Sequence, residues 1–311
     1  MKLDRRRFLV GSAALATASL LPPPARAQRS ETRLILLGTK GGPRITAVRR
    51  GQPAQVIVIN GAAYVIDCGN GVTDKLVQAS IPLTSLRHVL LTHHHSDHNA
   101  DYGNLLLLAW AGGLKTRVDT WGPPPIARMT RQYFELNQYD IETRISDEGR
   151  PDLRKLVEAH EFDQPGLVFQ DENVKVTAAL VDHPPVVPAF GYRFDSADRS
   201  IVISGDTNYS ERLIALAKGA DVLVHEALYL PGLDRLLRQN TNADRLREHI
   251  IAAHTNTEDV GRVAAAAGVK TLVLSHLVPA DDPTITDEDW LMGVRKHFDG
   301  KVIVGRDLQE I

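Results

Sequence analysis

The chain has 311 residues, of which 43% are hydrophobic and 24% charged, and its formal net charge is −2. This size and apolar content are enough to bury a full core in one large or two small domains, which excludes a largely disordered chain. Removing residues 1–27, with five basic residues and one acidic residue, brings the net charge near −6. Such a charge gives no electrostatic reason to bind nucleic acid.

The N-terminal segment has the features of an export signal. Lys2 and the run Arg5-Arg6-Arg7 precede an uncharged stretch from Phe8 to Leu21, and small residues at Ala25-Arg26-Ala27 suit cleavage. The stretch is short for a membrane span, which favours cleavage over anchoring. The arginine run followed by Phe and Leu resembles the twin-arginine signal, with ordinary export as the alternative. We therefore predict that residues 1–27 form a cleaved signal peptide that engages the twin-arginine export machinery, and that the mature protein is periplasmic.

Short runs rich in valine, isoleucine and leucine end abruptly in polar residues, which is typical of buried strands. The predicted strands are Arg33–Gly38, Val56–Asn60, Tyr64–Asp67, Val89–Thr92, Ile201–Ser204, Val222–His225 and Leu272–His276. Helical patterns lie among the later strands, at Glu211–Lys218, Thr257–Ala267 and Asp287–His297. Ligands of layered α/β folds gather where loops leave the strand ends, so we expect the functional residues there.

The segment from about residue 123 to residue 165 interrupts this succession of strands. Two stretches in it have helical patterns, Arg128–Tyr139 and Asp152–Glu161. We predict that the segment is a helical insertion near the functional site, with extra surface packing as the alternative.

Four histidines and a carboxylate occur within the six residues from His93 to His98, directly after a predicted strand. Imidazole and carboxylate groups suit zinc and similar divalent ions, and a loop can turn alternate residues toward one centre. We expect His93 and His95 to share one ion, and Asp97 and His98 to face a second. A zinc-protease motif is excluded because no glutamate follows His94, which we predict to be a non-ligand. A solvated run of surface histidines is the alternative, and the preceding apolar strand disfavours it.

The pattern His-x-His-x-Asp-His after a strand resembles the signature of the metallo-β-lactamase superfamily. Asp67-Cys68-Gly69 is similar to the structural aspartate that precedes this signature, and the resemblance runs from about Leu34 to Val304. It implies an α/β fold, the αβ/βα four-layer sandwich. Three later residues at predicted strand ends complete the implied ligand set: His183, Asp206 and His276. The implied first-metal ligands are His93, His95 and His183, the implied second-metal ligands are Asp97, His98 and His276, and Asp206 is the implied bridge.

Two divalent ions, predicted to be Zn²⁺ with Mn and Fe left open, can activate a water between them for hydrolysis. Asp206 suits bridging because each of its two oxygens can serve one ion. Asp97 is also a candidate for orienting the attacking water. The bridging aspartate argues against a true β-lactamase, which the first motif alone resembles.

Two further motifs bear on the branch of the superfamily. His225-Glu226-Ala227 and His254-Thr255-Asn256-Thr257 resemble the paired motifs of tRNA 3′-processing endonucleases and of the arylsulfatase-like branch. The resemblance implies that His254 approaches the scissile group and that Glu226 steadies it. An imidazolium held by a carboxylate can donate a proton to an anionic oxygen or a leaving group. A purely structural pair is the alternative. We leave His88, His160, His249 and His297 as structural or surface residues.

The export signal, the acidic charge and the glycine-rich stretch Leu36–Arg44 favour the arylsulfatase-like branch. We expect the glycine-rich stretch to form a tight turn beside the metals. We predict an exported dinuclear metallohydrolase of a small ester, foremost an aryl sulfate or phosphate ester. Trp110, Phe190, Tyr192 and Tyr209 are candidates for an aryl pocket, with ordinary packing as the alternative. We expect no nucleic acid partner and no membrane contact after signal cleavage, and we leave a homodimer open. Phosphodiesterase, lactonase and β-lactamase activities remain alternatives, as does a non-catalytic periplasmic protein that binds zinc or a ligand.

Overall fold

The computed structural model of the chain describes residues 31–45 and 50–311, so the predicted signal peptide lies outside the described residues. The strands in the described part are β1 (Thr32–Gly38), β2 (Ala54–Ile59), β3 (Ala62–Ile66), β4 (Leu86–Leu90), β5 (Val118–Gly122), β6 (Val157–Glu161), β7 (Gly166–Gln170), β8 (Val174–Leu180), β9 (Phe190–Ser196), β10 (Ser200–Ile203), β11 (Val222–Leu228), β12 (Thr271–Val278), β13 (Lys301–Val304) and β14 (Gln309–Glu310).

The helices are α1 (Val72–Gln78), α2 (Ser96–Asn99), α3 (Tyr102–Ala111), α4 (Ile126–Leu136), α5 (Gln138–Glu148), α6 (Leu153–Leu156), α7 (Glu211–Ala217), α8 (Leu233–Arg238), α9 (Leu246–Ala253), α10 (Thr257–Ala267) and α11 (Asp287–Val294). Two short 3-10 helices span Leu83–Ser85 and Leu230–Gly232. Among the described helices, none combines the length and the apolar character needed to cross a bilayer.

The strands form two seven-stranded mixed sheets. The strand order is β14-β1-β2-β3-β4-β5-β6 in the first sheet and β13-β12-β11-β10-β9-β8-β7 in the second. In the first sheet the strands from β3 to β6 run parallel, and in the second sheet those from β10 to β13 do so. The remaining neighbours are antiparallel. Each sheet therefore has a parallel half whose strand ends can carry a site.

Four layers make up the sandwich. Tyr64 of the first sheet and Tyr192 of the second lie in one apolar cluster between the two sheets. The outer face of the first sheet packs on α1, α3 and α4, with Trp110 fully buried there. The outer face of the second sheet packs on α7, α10 and α11, with Trp290 in that cluster. The predicted αβ/βα four-layer sandwich is confirmed.

The seven predicted strands and the three later helices are all present, with ends shifted by a few residues. The helix predicted over Asp152–Glu161 is wrong, because only α6 is helical and β6 begins at Val157. Tertiary pairing overrides the local helical pattern, because β6 hydrogen-bonds in parallel to β5, with Ala159 opposite Thr120. Helices α4 and α5 do lie between β5 and β6, and their origin as an insertion stays a prediction.

Gly261 allows α10 to approach α11 closely, and this generates a stability prediction. A Cβ at this position would come 2.4 Å from the Val294 carbonyl oxygen. Gly261→Ala should lower the free energy of unfolding by about 1–3 kcal/mol, because the two helices must move apart. Ala266→Ser, at an exposed position of the same helix, is the control and should change it by less than about 0.5 kcal/mol. Chemical denaturation measures both, and equal unfolding free energies for Gly261→Ala and the wild type would contradict the packing argument.

Candidate metal centre

The seven predicted ligands come from loops, from the short helix α2 and from strand β12, and they meet at one end of the sandwich. They are His93 and His95 between β4 and α2, Asp97 and His98 in α2, His183 after β8, Asp206 after β10, and His276 within β12. Six of them are buried, and His95 is half-buried. The first sheet thus contributes the histidine-rich motif and the second sheet contributes the three later residues.

A bulge in β12 presents His276 to the centre. Strands β11 and β12 pair up to Glu226 and Ser275, after which Ala227 pairs with Leu277 and leaves His276 as the extra residue. His276 has a positive φ of 42°, and such a bulge re-aims a side chain out of the ladder. The loop after β1 approaches closely, because a Cβ on Gly41 would lie 2.6 Å from the His276 Nδ1 atom. The glycine-rich stretch therefore lies beside the cluster, and its form as a tight turn stays a prediction.

Asp206 lies at the middle of the cluster. Its Oδ2 atom is 3.1 Å from the His276 Nε2 atom and 3.2 Å from the His98 Nε2 atom. The Nε2 atoms of His93 and His183 are each 3.9 Å from the same oxygen. One carboxylate oxygen is thus close to two histidines of each predicted ion, which is the placement that a bridging ligand needs.

The ligand atoms of these seven residues fall into two groups, and within each group the atoms lie within 4.8 Å of one another. One group is His93, His95, His183 and Asp206, and the other is Asp97, His98 and His276. These are the two sets that the resemblance implies. The structure brings all seven residues together, and their roles as ligands stay a prediction.

Hydrogen bonds outside the cluster hold the imidazole rings in place. The Nδ1 atom of His98 lies 2.8 Å from the Asp67 Oδ2 atom, and that of His183 lies 2.9 Å from the Ala253 carbonyl oxygen. Such contacts fix the ring orientation and leave the Nε2 atom for a metal. Asp67 also accepts hydrogen bonds from the Thr92 amide and hydroxyl groups, so its own position is fixed. Asp67 therefore has the structural role that the resemblance implied.

The inward-facing atoms lack partners, and this tests whether the residues suit metal ions. Within the described residues, buried atoms of the cluster without a hydrogen-bond partner are His93 Nε2, His98 Nε2, both ring nitrogens of His276, and Asp206 Oδ1. A buried polar atom without a partner is costly and rare. Convergent imidazole nitrogens and carboxylate oxygens are also the donors that divalent transition ions prefer. The residues therefore fit a pair of divalent cations.

The charges of the cluster agree with this fit. Burial holds the pKa of His93 well below its ordinary value and lowers that of His183 to about 4, which keeps both rings neutral as ligands. Burial favours a protonated Asp206, but the adjoining His276 and His98 hold the pKa of that carboxyl well below its usual range. Burial likewise opposes charge on His98, but the carboxylates of Asp206 and Asp67 raise its pKa. The carboxylates therefore attract positive charge to the cluster, which protons on His98 and His276 supply here and which bound cations would supply in their place.

His254 and Glu226 form a buried pair beside the cluster. The His254 Nδ1 atom is 3.0 Å from each Glu226 carboxylate oxygen, and Glu226 also accepts a hydrogen bond from the Thr207 amide at 2.8 Å. Burial opposes charge on the ring, but the Glu226 carboxylate raises the pKa of His254 above its ordinary value. The His254 ring centroid lies 5.3 Å from that of His183 and 5.4 Å from that of His276. The pair has the geometry that its expected role requires, and the role itself stays a prediction.

A cavity of about 650 Å³ opens over the cluster, and its floor includes His95, Asp206 and His254. The loop containing Gly41 and Arg44 forms one side, and α8 and α9 form the other. We name the segment from residue 229 to residue 253, which contains α8 and α9, the cap. None of the four candidate aryl-pocket residues lines this cavity. Trp110, Phe190 and Tyr192 are buried in the cores, and Tyr209 is exposed elsewhere on the surface.

Sequence reasoning missed His249, which was expected to be structural or on the surface. It lies on α9 and lines the cavity, with its ring centroid 5.9 Å from that of His95. A lone histidine in a helical pattern carries no signal of this placement. Its position five residues before His254 was the one available hint. Lys40 and Arg44 were also not identified as cavity residues.

Residues 63–277 match a family model described as the beta-lactamase superfamily domain. The chain belongs to the metallo-β-lactamase superfamily. Ribonuclease Z of Mycobacterium sp. (strain KMS) is 35% identical over 280 residues, which cover 89% of this chain and 94% of that protein. Ribonuclease Z of Mycobacterium bovis (strain BCG / Pasteur 1173P2) is 31% identical over 281 residues, which cover 89% and 97%. Within the superfamily the chain is therefore ribonuclease Z-like, and the arylsulfatase-like assignment is not supported.

Solved structures show the same fold. The metallo-β-lactamase fold protein YhfI from Bacillus subtilis aligns with a TM-score of 0.66, and the short form of human tRNase Z aligns with 0.65. Each is 20% identical to this chain, and each alignment covers 90% of this chain and 98% of the other. At this identity the likeness establishes the fold alone.

These relatives correct two predictions. The predicted hydrolysis of an aryl sulfate or another small ester is wrong, because the relatives at 31–35% identity over most of the chain are ribonuclease Z proteins. The expected absence of a nucleic acid partner is wrong on the same finding. We based that expectation on the net charge of the whole chain, whereas nucleic acid binding depends on the electrostatic potential at the binding site. The coarser prediction is confirmed, since the chain is a metal-dependent hydrolase with a cluster suited to divalent ions.

The hydrogen bonds around the cluster generate a prediction on metal content. The wild-type protein should bind two divalent ions per chain, measured by plasma mass spectrometry. Asp67→Asn should weaken metal binding about 10- to 100-fold, because the amide no longer holds His98 as the carboxylate does. His94→Ala is the control within the same motif, because the His94 Nε2 atom bonds the Pro123 carbonyl oxygen instead of facing the cluster. Competition with a chromophoric chelator measures the affinities, and equal losses in the two variants would contradict the assignment.

Proposed function

We propose that the chain is a ribonuclease of the ribonuclease Z kind, which hydrolyses a phosphodiester bond of RNA. The observation that carries the proposal is the Glu226–His254 pair beside the seven-residue cluster, in a chain 35% identical to ribonuclease Z along 94% of that relative. This pairing supplies a proton donor next to a cluster suited to cations. A phosphodiester needs both, since it is anionic and its leaving alkoxide is poor.

We propose that His93, His95 and His183 hold one divalent ion, that Asp97, His98 and His276 hold a second, and that Asp206 bridges them. When bound, such ions, proposed to be Zn²⁺, lower the pKa of a water and stabilise the negative charge that develops on the phosphoryl group. The Asp97 Oδ2 atom accepts a hydrogen bond from the Gly42 amide at 2.9 Å, which fixes this carboxylate at the cavity floor. Asp97 is thereby placed to orient the attacking water.

His254 is the proposed proton donor to the leaving oxygen. Glu226 accepts from the His254 Nδ1 atom, so the other ring nitrogen is left for the substrate. Because Glu226 also raises the pKa of His254, the protonated ring is available to donate. Proton donation of this kind contributes a factor of about 10² to 10⁴ to the rate.

One basic side chain at the cavity also suits an anionic substrate. Lys40 and Arg235 line the cavity but are paired with Asp281 and Asp282, whereas Arg44 has no ion pair within the described residues. Basic side chains at a cleft raise the local concentration of an anionic ligand whatever the net charge of the protein. A chain that cleaves no RNA in the metal-loaded state, with two ions bound, would overturn the proposed function.

A leaving-group comparison tests the role of His254. His254→Ala should lower kcat on RNA about 10²- to 10⁴-fold, because the alkoxide leaves unprotonated. The same variant should lose much less on bis(p-nitrophenyl) phosphate, whose phenolate leaves without a proton. His160→Ala is the matched control, since His160 pairs with Asp119 at 2.7 Å outside the cavity and should leave both rates unchanged. Equal losses of His254→Ala on the two substrates, with metal content intact, would contradict proton donation.

Export is a separate proposal that rests on the sequence of residues 1–27. We propose that the mature protein is periplasmic and begins at Gln28. Fractionation of cells that express the full chain, followed by N-terminal sequencing, tests this directly. Replacing Arg5 and Arg6 with lysine should retain the uncleaved chain in the cytoplasm if export follows the twin-arginine route. A wild-type chain that keeps its N-terminal residues in the cytoplasm would contradict export.

A further inference from the structure

We propose that Thr255 is a positioning residue whose hydroxyl group keeps His254 in place beside Asp206. This inference rests on the proposed function, in which His254 donates a proton, and it adds the contact that holds this donor. Thr255 does not line the cavity, and the residue is only 1% exposed. Thr255 therefore has no contact with a substrate in the cavity and can act only through the residues that it touches.

Four residues form a closed ring of contacts beside the cavity floor. The Glu226 carboxylate accepts from the His254 ring and, at 2.8 Å, from the Thr207 amide. The Thr207 carbonyl oxygen in turn accepts from the Thr255 hydroxyl at 2.5 Å. The peptide bond between His254 and Thr255 closes the ring. Because Thr207 directly follows Asp206, the ring ties the proposed proton donor to the residue at the middle of the cluster.

His254 needs such a tie because it lies in a short connection between two helices. Helix α9 ends directly before His254 and α10 begins at Thr257, and the backbone of His254 is extended, with φ −129° and ψ 154°. The Leu228 amide donates to the Thr255 carbonyl oxygen at 2.8 Å and thereby holds the connection against β11. This contact does not reach the loop after β10. The Thr255 hydroxyl does reach it, so it fixes the connection relative to the loop that carries Asp206.

A second contact joins the same two segments, but water can replace it. The Asn208 side-chain amide donates to the Ala252 carbonyl oxygen at 3.0 Å, and this hydrogen bond is exposed. The contact between Thr255 and Thr207 is buried, since the two residues are 1% and 0% exposed. A buried carbonyl oxygen that loses its donor is costly. Without the hydroxyl we therefore expect the two segments to rearrange and to take His254 out of its place beside the cluster.

Two substitutions test the hydroxyl group in the metal-loaded full chain. Thr255→Val keeps the shape of the side chain and should lower kcat on RNA about 10- to 100-fold, because a displacement of about 1 Å can cost a catalytic group that much. Thr255→Ser keeps the hydroxyl and should retain kcat within about threefold of the wild type. On bis(p-nitrophenyl) phosphate, whose phenolate leaves without a proton, Thr255→Val should lose less than about threefold. Equal losses on the two substrates would overturn the proposal.

Thr130→Val is the matched control. Thr130 is another buried threonine, 5% exposed, and its hydroxyl donates to the Ile126 carbonyl oxygen at 2.8 Å, away from the cavity. This variant loses the same kind of contact and should leave both rates unchanged. Plasma mass spectrometry should find two ions per chain in every variant. A loss of RNA cleavage in Thr130→Val as large as that in Thr255→Val would overturn the proposal, because any buried hydroxyl would then have the same effect.

A double-mutant cycle shows whether Thr255 acts through His254. In the His254→Ala background, Thr255→Val should lower kcat on RNA by less than about twofold more, because the group that it positions is gone. A further loss as large as that in the wild-type background would overturn the proposal. Thr255→Ala replaces Thr255→Val throughout if valine prevents folding. Unfolding of both variants beside a folded Thr255→Ser protein would assign the hydroxyl to stability alone and would also overturn it.

Proton NMR gives a readout that needs no turnover and separates this inference from the proposed function. The proton between the His254 Nδ1 atom and Glu226 should give a low-field signal that is absent in His254→Ala. Thr255→Val should shift or broaden this signal, and Thr255→Ser should keep it. A shifted signal in a chain that cleaves no RNA would support the positioning role and overturn the proposed function. An unchanged signal in Thr255→Val would overturn the positioning role, and RNA cleavage by the wild type would still stand.

Discussion

The Asp206 carboxylate, buried among histidine rings, is the constraint on which the site depends. Its Oδ2 atom lies within 3.9 Å of the Nε2 atoms of four histidines that come from both sheets. A buried charge costs several kcal/mol unless opposite charge surrounds it, so this arrangement is stable only when histidines and cations share the space. The ends of β4, β8, β10 and β12 must therefore meet at one point. The sandwich brings them together because its two sheets stack with these ends at the same edge.

Three residues around this point have unusual backbone conformations. Asp67 and His276 have positive φ angles of 60° and 42°, although neither is glycine. Gly205, directly before Asp206, also has a positive φ, and a Cβ there would come 2.5 Å from the Phe190 carbonyl oxygen. Such conformations persist where surrounding contacts over-determine them, and they cluster at functional sites. The hydrogen bonds of Asp67 to Thr92 and His98 are contacts of this kind.

The walls of the cavity come from a different part of the molecule than the cluster at its floor. The cluster is built on the strand ends of both sheets, whereas the cap is a pair of short helices with its own small apolar core. The cap contributes His249 to the cavity and contacts Arg44 through the Gln239 side chain, so it adds hydrogen-bonding groups that the strands do not supply. Because the cluster and the cap are separate parts of the chain, the family signature predicts hydrolysis but says little about which bond is hydrolysed.

The amino-acid sequence alone determined the sandwich, the seven clustered residues from His93 to His276, and the pairing of Glu226 with His254. These features are readable because strand patterning is local and because ligand types and their order along the chain carry chemical meaning. Only the tertiary structure decided that Val157–Glu161 is a strand, since its ladder with β5 overrides the local helical pattern. It also decided that His249 and Arg44 share one cavity, although they are far apart in sequence. Net charge misled the sequence reasoning about the substrate because it averages over the surface, whereas the fold sets the potential where the substrate binds.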